Sequence, residues 1–367
     1  MKKLLPILLF FCGMAAQPCH SQDTLSNTSH KLIRKSSLIP IPLVFYTPET
    51  RLAGGGAVLY AFRFREQPDS VRPSQFQFGF AYTQNKQILF YLPFQVFLKN
   101  EQFNVFGELG YYRYIYRISG IGNETPEDKH EYYDAVYPRL RLNGVYQFRP
   151  KWYAGLRYWF DDYKIPKIDS AGILAQNQIT GNKGGVISGA GPLLTFDSRD
   201  QIFYPTKGSI IEFELFFDQK ALGSDFNFSR FSVDARTYIS NNKNGVLALN
   251  AWLVSMHGDP PFQQLAKIGG PKKMRGYFEG RYRDKHLFML QGEYRFPLFW
   301  RLGATVFGGA GNVAPAFSGL FSNELHFTYG AGLRLLLAKE DHINLRIDFG
   351  GNGEGHLFSY LTVGEAF

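Results

Sequence analysis

Residues Gln75 to Gln84 read QFQFGFAYTQ. Phe76, Phe78 and Phe80 alternate with Gln75, Gln77 and Gly79, which puts aromatic rings on one face and polar or small groups on the other. A two-residue period with one apolar face is the signature of a strand and not of a helix. The pattern recurs in FSVDARTYIS, where Phe231, Val233, Ala235 and Ile239 oppose Ser232, Asp234 and Arg236. It recurs again in INLRIDFG, where Ile343, Leu345, Ile347 and Phe349 oppose Asn344, Arg346 and Asp348.

Alternation fits a soluble β-sandwich, with the apolar face inward, as well as a membrane barrel, with the apolar face toward lipid. Segment count and connection lengths separate the two. Alternating segments fall at 40–47, 52–64, 73–83, 86–97, 101–117, 131–146, 150–163 and 186–197. They continue at 207–218, 225–240, 244–257, 285–296, 299–309, 326–338, 342–351 and 357–367. Sixteen is an even number, as bacterial barrels require, and most segments have about the length of a tilted membrane-crossing strand. Long connections (118–130, 164–185, 258–284, 310–325) follow odd segments, and tight turns such as KNE, RPK and AKED follow even ones. Long outside and short inside is the outer-membrane pattern. The fold expected is therefore all-β, a 16-stranded antiparallel transmembrane barrel.

The N-terminus assigns the compartment. MKK is a basic start, LLPILLFFCGMAA an apolar core too short to span a bilayer, and QPCHSQ a small-residue cleavage region. Residues 1–21 read as a signal peptide cleaved after Ser21, with a lipoprotein reading at Cys19 as the alternative. Residues 22–38 read as a short flexible lead-in, and 39–367 as the barrel. Cys12 and Cys19, the only cysteines among 367 residues, leave with the signal. Disulfides, thiolate metal sites and cysteine nucleophiles are thereby excluded. Removing Lys2 and Lys3 takes the formal charge from +9 to +7. In an exported β-protein that balance suits anionic outer-membrane lipid or a charged lumen, and no nucleic-acid partner is expected. Mean hydropathy of −0.20 speaks against a bundle of membrane helices.

Against this regular background, Ile268–Tyr277 reads IGGPKKMRGY, a basic, glycine-rich interruption in the long connection after the eleventh segment. Three other stretches stand out: FDSRDQIFYPTKGS (Phe196–Ser209), EYRFPL (Glu293–Leu298) and the terminal LTVGEAF. In this order they resemble the Omp85 superfamily, the BamA/TamA-like bacterial surface antigen barrels. The resemblance covers essentially all of 39–367.

It implies a stand-alone barrel without POTRA modules, whose long sixth extracellular loop folds back into the lumen. The loop's [VI]-R-G-[FY] tip is matched by Met274, Arg275, Gly276 and Tyr277 after the paired glycines Gly269 and Gly270, with Met in the first position as a departure. Asp197, Arg199, Asp200, Pro205 and Gly208 match a conserved periplasmic turn of the family. Gly364 and Phe367 match a C-terminal signal read by the barrel-assembly machinery during insertion. An arginine docked inside a barrel needs acidic partners, and Arg275 is expected to meet Glu293 or Asp348. A third usual acid is missing, because Gly309 stands in its place. The implied role is outer-membrane protein or lipid assembly or translocation, with a separate periplasmic or outer-membrane partner. A passive pore or surface scaffold plugged by the sixth loop is the alternative.

Enzymatic chemistry finds no support in the motifs. Histidines 30, 130, 257, 286, 326, 342 and 356 form no H-x-x-x-H spacing, and no G-x-S-x-G or phosphate-cradling glycine loop is present. No catalytic residue, metal or cofactor is expected.

Overall fold

A computed structural model describes residues 36–64, 67–68, 71–126, 128–176, 179–241, 245–322, 324–338 and 342–367. The signal-peptide reading and most of the lead-in lie outside the described residues. The strands are β1 (Ser36–Thr47), β2 (Arg51–Phe62), β3 (Ser74–Thr83), β4 (Ile88–Leu98), β5 (Phe103–Ile118) and β6 (Glu131–Arg149). They continue with β7 (Trp152–Lys164), β8 (Gly184–Asp197), β9 (Gly208–Asp218), β10 (Phe228–Ser240), β11 (Val246–Gly258) and β12 (Ala266–Ile268). The last six are β13 (Tyr282–Asp284), β14 (His286–Pro297), β15 (Leu302–Ala314), β16 (His326–Ala338), β17 (Ile343–Asn352) and β18 (Leu357–Val363).

All except β12 and β13 join in one closed antiparallel barrel, β11 pairing with β14 and β18 returning to β1. The sixteen barrel strands overlap the sixteen alternating segments one for one, with the largest shift at β15, which runs 302–314 in place of the expected 299–309. No helix among the described residues is long and apolar enough to cross a membrane.

The two faces are inverted relative to a soluble protein. Leu156 (68% exposed), Phe78 (53%) and Tyr329 (61%) face outward, whereas Asp348 (0%) and Asn250 (2%) are buried within. Lipid solvates the outer residues in a membrane, and the closed ladder satisfies the backbone without water.

Three differences from the sequence reading have local causes. β1 begins at Ser36, because Ser36–Leu38 pair with Tyr60–Phe62 at the end of β2. The lead-in is correspondingly shorter. The long connection after β11 contains an antiparallel pair, Ala266 with Asp284 through Ile268 with Tyr282. Three-residue strands are too short for a period-two pattern to register. Lastly, β18 stops at Val363, not Phe367, because Gly364 takes a left-handed φ of +84° and turns the chain out of the sheet.

Pairing is uneven around the ring. β1 and β2 share a continuous register from Ser36–Phe62 to Thr47–Arg51, and β14 and β15 one from His286–Ala314 to Pro297–Gly303. Between β1 and β18 the register is a single pair, Tyr46 with Leu361.

Candidate functional site

The connection between β11 and β14 carries the IGGPKKMRGY stretch, and its glycines shape the turn. Gly269 and Gly270 have φ of +107° and +91°, and their N–H groups donate to the Lys273 and Tyr277 carbonyls at 3.0 Å each. A Cβ on Gly269 would collide with the Phe278 carbonyl oxygen. Gly276, at φ +121°, lies against β17. A side chain there would approach the Gly351 carbonyl oxygen to 2.5 Å, and one on Gly350 would come within 2.8 Å of the Arg275 carbonyl. Glycine on both surfaces is what allows the two backbones to meet.

That approach delivers Arg275 to two carboxylates at once. Nη1 donates to Asp348 Oδ2 at 2.5 Å, and Nη2 donates to Glu293 Oε2. Both acids project inward, from β17 and β14. The guanidinium also lies 3.6 Å from the centroid of the Phe307 ring. Gly309, two residues further along β15, supplies no acid, and the aromatic face of Phe307 is the contact that β15 makes with Arg275. Cation–π attraction strengthens where water is excluded, and Arg275 is 1% exposed.

The network is wider than the sequence reading anticipated. Arg295 Nε donates to Glu293 Oε1 at 2.6 Å, and Arg334 Nη1 donates to Asp348 Oδ1 at 2.7 Å. Arg334 Nε also donates to Glu365 Oε2 at 2.8 Å, and Arg346 Nη2 donates to the Pro271 carbonyl at 3.0 Å. The inward parity of Arg334 and Arg346 on their strands was a readable signal for two of these residues. Glu365 lies beyond the end of β18 and had none.

The tip also reaches the weakly paired closure of the ring. Gly276 N–H donates to the Tyr360 hydroxyl on β18 at 3.0 Å, and Asn352 Nδ2 on β17 donates to the Gly276 carbonyl at 2.8 Å. Just past the tip, Glu279 N–H donates to Glu49 Oε1 in the β1–β2 turn at 2.8 Å. Burial, reinforced by the neighbouring Glu279 charge, pushes the Glu49 carboxyl up to about 7 against the bonds it accepts. Glu279 is held below its usual range by Lys267, whose Nζ lies 2.7 Å away. Burial brings the Lys273 ammonium down to about 7 although Asp234 Oδ2 is 3.2 Å away. Met274 N–H donates to Gln291 Oε1 at 3.0 Å, and Tyr277 OH to the Phe327 carbonyl at 3.3 Å.

The other motif residues lie away from the tip. Arg199 grips Asp197 with Nε and Nη2, both at 2.9 Å. Asp200 accepts from Thr206 N (2.9 Å), Lys207 N (3.2 Å) and Gln201 N (3.0 Å), closing the turn around buried Pro205. Gly208, at φ +93°, passes close to the Ser198 carbonyl. These residues shape a turn. Gly364 donates its N–H to the Asn344 carbonyl at 2.8 Å as the chain leaves β18. Phe367 packs on the inward cluster of Tyr238, Val246 and Ala248 with Tyr204. The terminal aromatic thus lies off the strand end that the sequence reading gave it.

A sixteen-strand barrel, with an Arg-Gly-Tyr tip on the connection after its eleventh strand, is the setting for the family comparison. The model for the Omp85 superfamily domain matches residues 75–350. The chain belongs to the Omp85 superfamily. Among solved structures, BamA from Haemophilus ducreyi lacking POTRA domains 1–3 is similar at a TM-score of 0.59 and 13% identity, over 90% of this chain and 70% of that one. CdiB from Acinetobacter baumannii is similar at 0.54 and 11% identity, over 90% of this chain and 60% of that one. At these identities the likeness is one of fold, and this chain spans three-fifths of the CdiB chain. No curated protein sequence matches it. As an Omp85 barrel the protein resides in the Gram-negative outer membrane, among lipid, in a family whose general role is assembly or translocation there.

Proposed function

We propose that this Omp85 barrel works through the closure between β1 and β18, with the Arg275 tip as the latch that holds it. One observation carries the reading: the tip bonds to both sides of the thinnest seam in the ring. Gly276 is held by Tyr360 on β18, Glu279 by Glu49 beside β1, and the strands themselves share only the Tyr46–Leu361 pair. An unpaired strand edge exposes backbone donors and acceptors that can template an incoming strand. Pro40 and Pro42, two residues apart on β1, withdraw N–H groups from a single edge of that strand. The loop fills part of the lumen, and the barrel acts on outer-membrane polypeptide or lipid with a separate periplasmic partner and without enzymatic chemistry. Gly364 and Phe367 serve its own insertion by the barrel-assembly machinery.

A Tyr46→Cys/Leu361→Cys protein tests this, since directly opposed strand residues have the spacing a disulfide needs. In liposomes, oxidation is expected to abolish assisted folding of an unfolded β-barrel client or lipid scrambling, and reduction to restore it. Steady ion conductance with both activities indifferent to the crosslink would establish the passive, loop-plugged pore instead. Co-purification from outer membranes identifies the partner.

A further inference from the structure

We propose that the barrel holds a phosphate-binding site in a cavity outside the Arg275 ion network, between the loop segment around β12 and the inner wall of β6, β7 and β10. The cavity measures about 240 Å³, and its lining includes Arg139, Arg141, Trp159, Arg230 and Lys267 together with one acid, Glu279. It is smaller than the roughly 300–1,000 Å³ of sites for drug-sized ligands. A single headgroup-sized anion fits; a polypeptide segment does not.

The charge arrangement is what calls for an anion. Three guanidiniums crowd one indole: Arg141, Arg157 and Arg230 lie 4.7, 5.2 and 5.5 Å from the Trp159 ring centroid. Asp161 is shared, accepting from Arg141 at 2.5 Å and from Arg139 at 3.1 Å. Glu214 takes Arg157, and Glu279 takes Lys267 at 2.7 Å. Arg230 is left over, its buried Nε making no hydrogen bond among the described residues. Arg283, also on the lining, spends its Nη2 on the carbonyls of Arg117 and Gly280 at 2.9 Å each.

Like charges this close, in a site partly shielded from water, repel unless a counter-charge joins them. A buried guanidinium donor without a partner costs stability in the empty protein. A phosphate monoester answers both conditions. It carries up to two negative charges, and its oxygens match the planar fork of Arg230. The same chemistry is available as a soluble ester or as a lipid headgroup.

The test uses the full chain folded in phosphatidylcholine nanodiscs, read by tryptophan fluorescence at constant ionic strength. The probes are inorganic phosphate, glycerol 3-phosphate, neutral glycerol, and nanodiscs containing phosphatidic acid. A saturable change with phosphate or glycerol 3-phosphate, absent with glycerol, is expected; a change only with phosphatidic acid assigns the lipid-borne group. Arg230→Met should weaken the response roughly tenfold or more, the effect of losing a hydrogen bond to a charged group. Its heat-modifiable gel mobility should be unchanged, because among the described residues no carboxylate is hydrogen-bonded to Arg230 and the nearby Glu214 keeps its Arg157 partner. Lys267→Gln, on the opposite wall, should weaken binding as well. No response to any phosphate probe, or an Arg230→Met protein that binds as tightly as the parent, overturns the site. It stands or falls independently of whether the β1–β18 seam opens.

Discussion

The wall from β14 to β17 and the seam from β18 to β1 are adjacent parts of one ring, yet they are held by different means. The wall has long ladders, broken only by a register shift at Leu336/Ala338 between β16 and β17, and a buried ionic network in which Arg275, Arg295, Arg334 and Arg346 meet Glu293, Asp348 and Glu365. The seam has one residue pair and two hydrogen bonds borrowed from the loop tip. Buried ion networks add little net stability but strongly penalise the loss of a member. Backbone ladders do the reverse, since they distribute the load over many equal bonds. The loop is therefore anchored where failure is expensive and reaches toward the place where failure is cheap.

Removing the anchor should have the largest effect. Arg275→Ala leaves Glu293 and Asp348 buried with one fewer cation each, although Arg295 and Arg334 still hold them at 2.6 and 2.7 Å. Breaking a buried pair costs about 3–5 kcal/mol, and the remaining arginines put this case toward the lower end. Urea unfolding in lipid vesicles and the heat-modifiable gel shift measure it, together with faster proteolysis of the 259–285 connection. Arg275→Lys should recover only part, because a single ammonium cannot fork between two acids. Unchanged unfolding and proteolysis in Arg275→Ala would mean that the wall does not need its anchor.

Gly276→Ala attacks the same contact from the backbone. The new methyl would meet the Gly351 carbonyl at φ +121°, combining left-handed strain with overpacking. About 3 kcal/mol is expected, read by the same unfolding assay. Gly350→Ala should cost less, since its backbone is not left-handed and only the close approach to the Arg275 carbonyl applies.

Much of this wall was legible before the fold was known. Period-two alternation gave the strands, and connection parity placed IGGPKKMRGY after the eleventh. The alternation of Asn344, Arg346 and Asp348 fixed which side chains face inward. Parity says which face a residue occupies and is silent on which inward residues meet across the lumen. For that reason Arg275 had two candidate acids and the structure gives it both, along with a Phe307 face where Gly309 supplies no acid. Glu49 was missed because a turn residue belongs to no alternating face. Glu365 was missed because LTVGEAF continues a strand pattern that only the backbone angle of Gly364 interrupts.

Glu49 offers a way to shift the seam without touching the wall. Its carboxyl ionises near 7 in the fold and near 4.5 when exposed. Below about pH 4.5 it is protonated in both states. Between there and pH 7 the folded protein keeps a proton the unfolded chain has lost, so stability falls as pH rises and then levels off. The full shift corresponds to about 3 kcal/mol, and partial exposure of the half-buried side chain reduces it to about 2. Glu49→Gln should remove this slope between pH 4.5 and 7 and leave the protein more stable than the parent at pH 8. The same variant should slow Tyr46–Leu361 crosslink exchange at pH 8. A parental slope that survives in Glu49→Gln would assign the pH dependence to other groups.

The smallest effect is expected at Gly364, where the last strand gives way to the inward tail. An alanine at φ +84° is strained by about 1 kcal/mol, and nothing crowds its Cβ. Steric cost is therefore not the main consequence. The strain tilts the chain back toward an extended conformation, which would lengthen β18 and pull Glu365 away from Arg334 and Asn344, each now 2.8 Å from it. A longer β18 has more backbone to pair with β1. Gly364→Ala should lower stability by about 1 kcal/mol while closing the seam more firmly, seen as less client folding per barrel and slower hydrogen exchange at Tyr46 and its neighbours. Faster exchange at those amides would mean that the tail tightens the seam, and that the wall and the seam share one support.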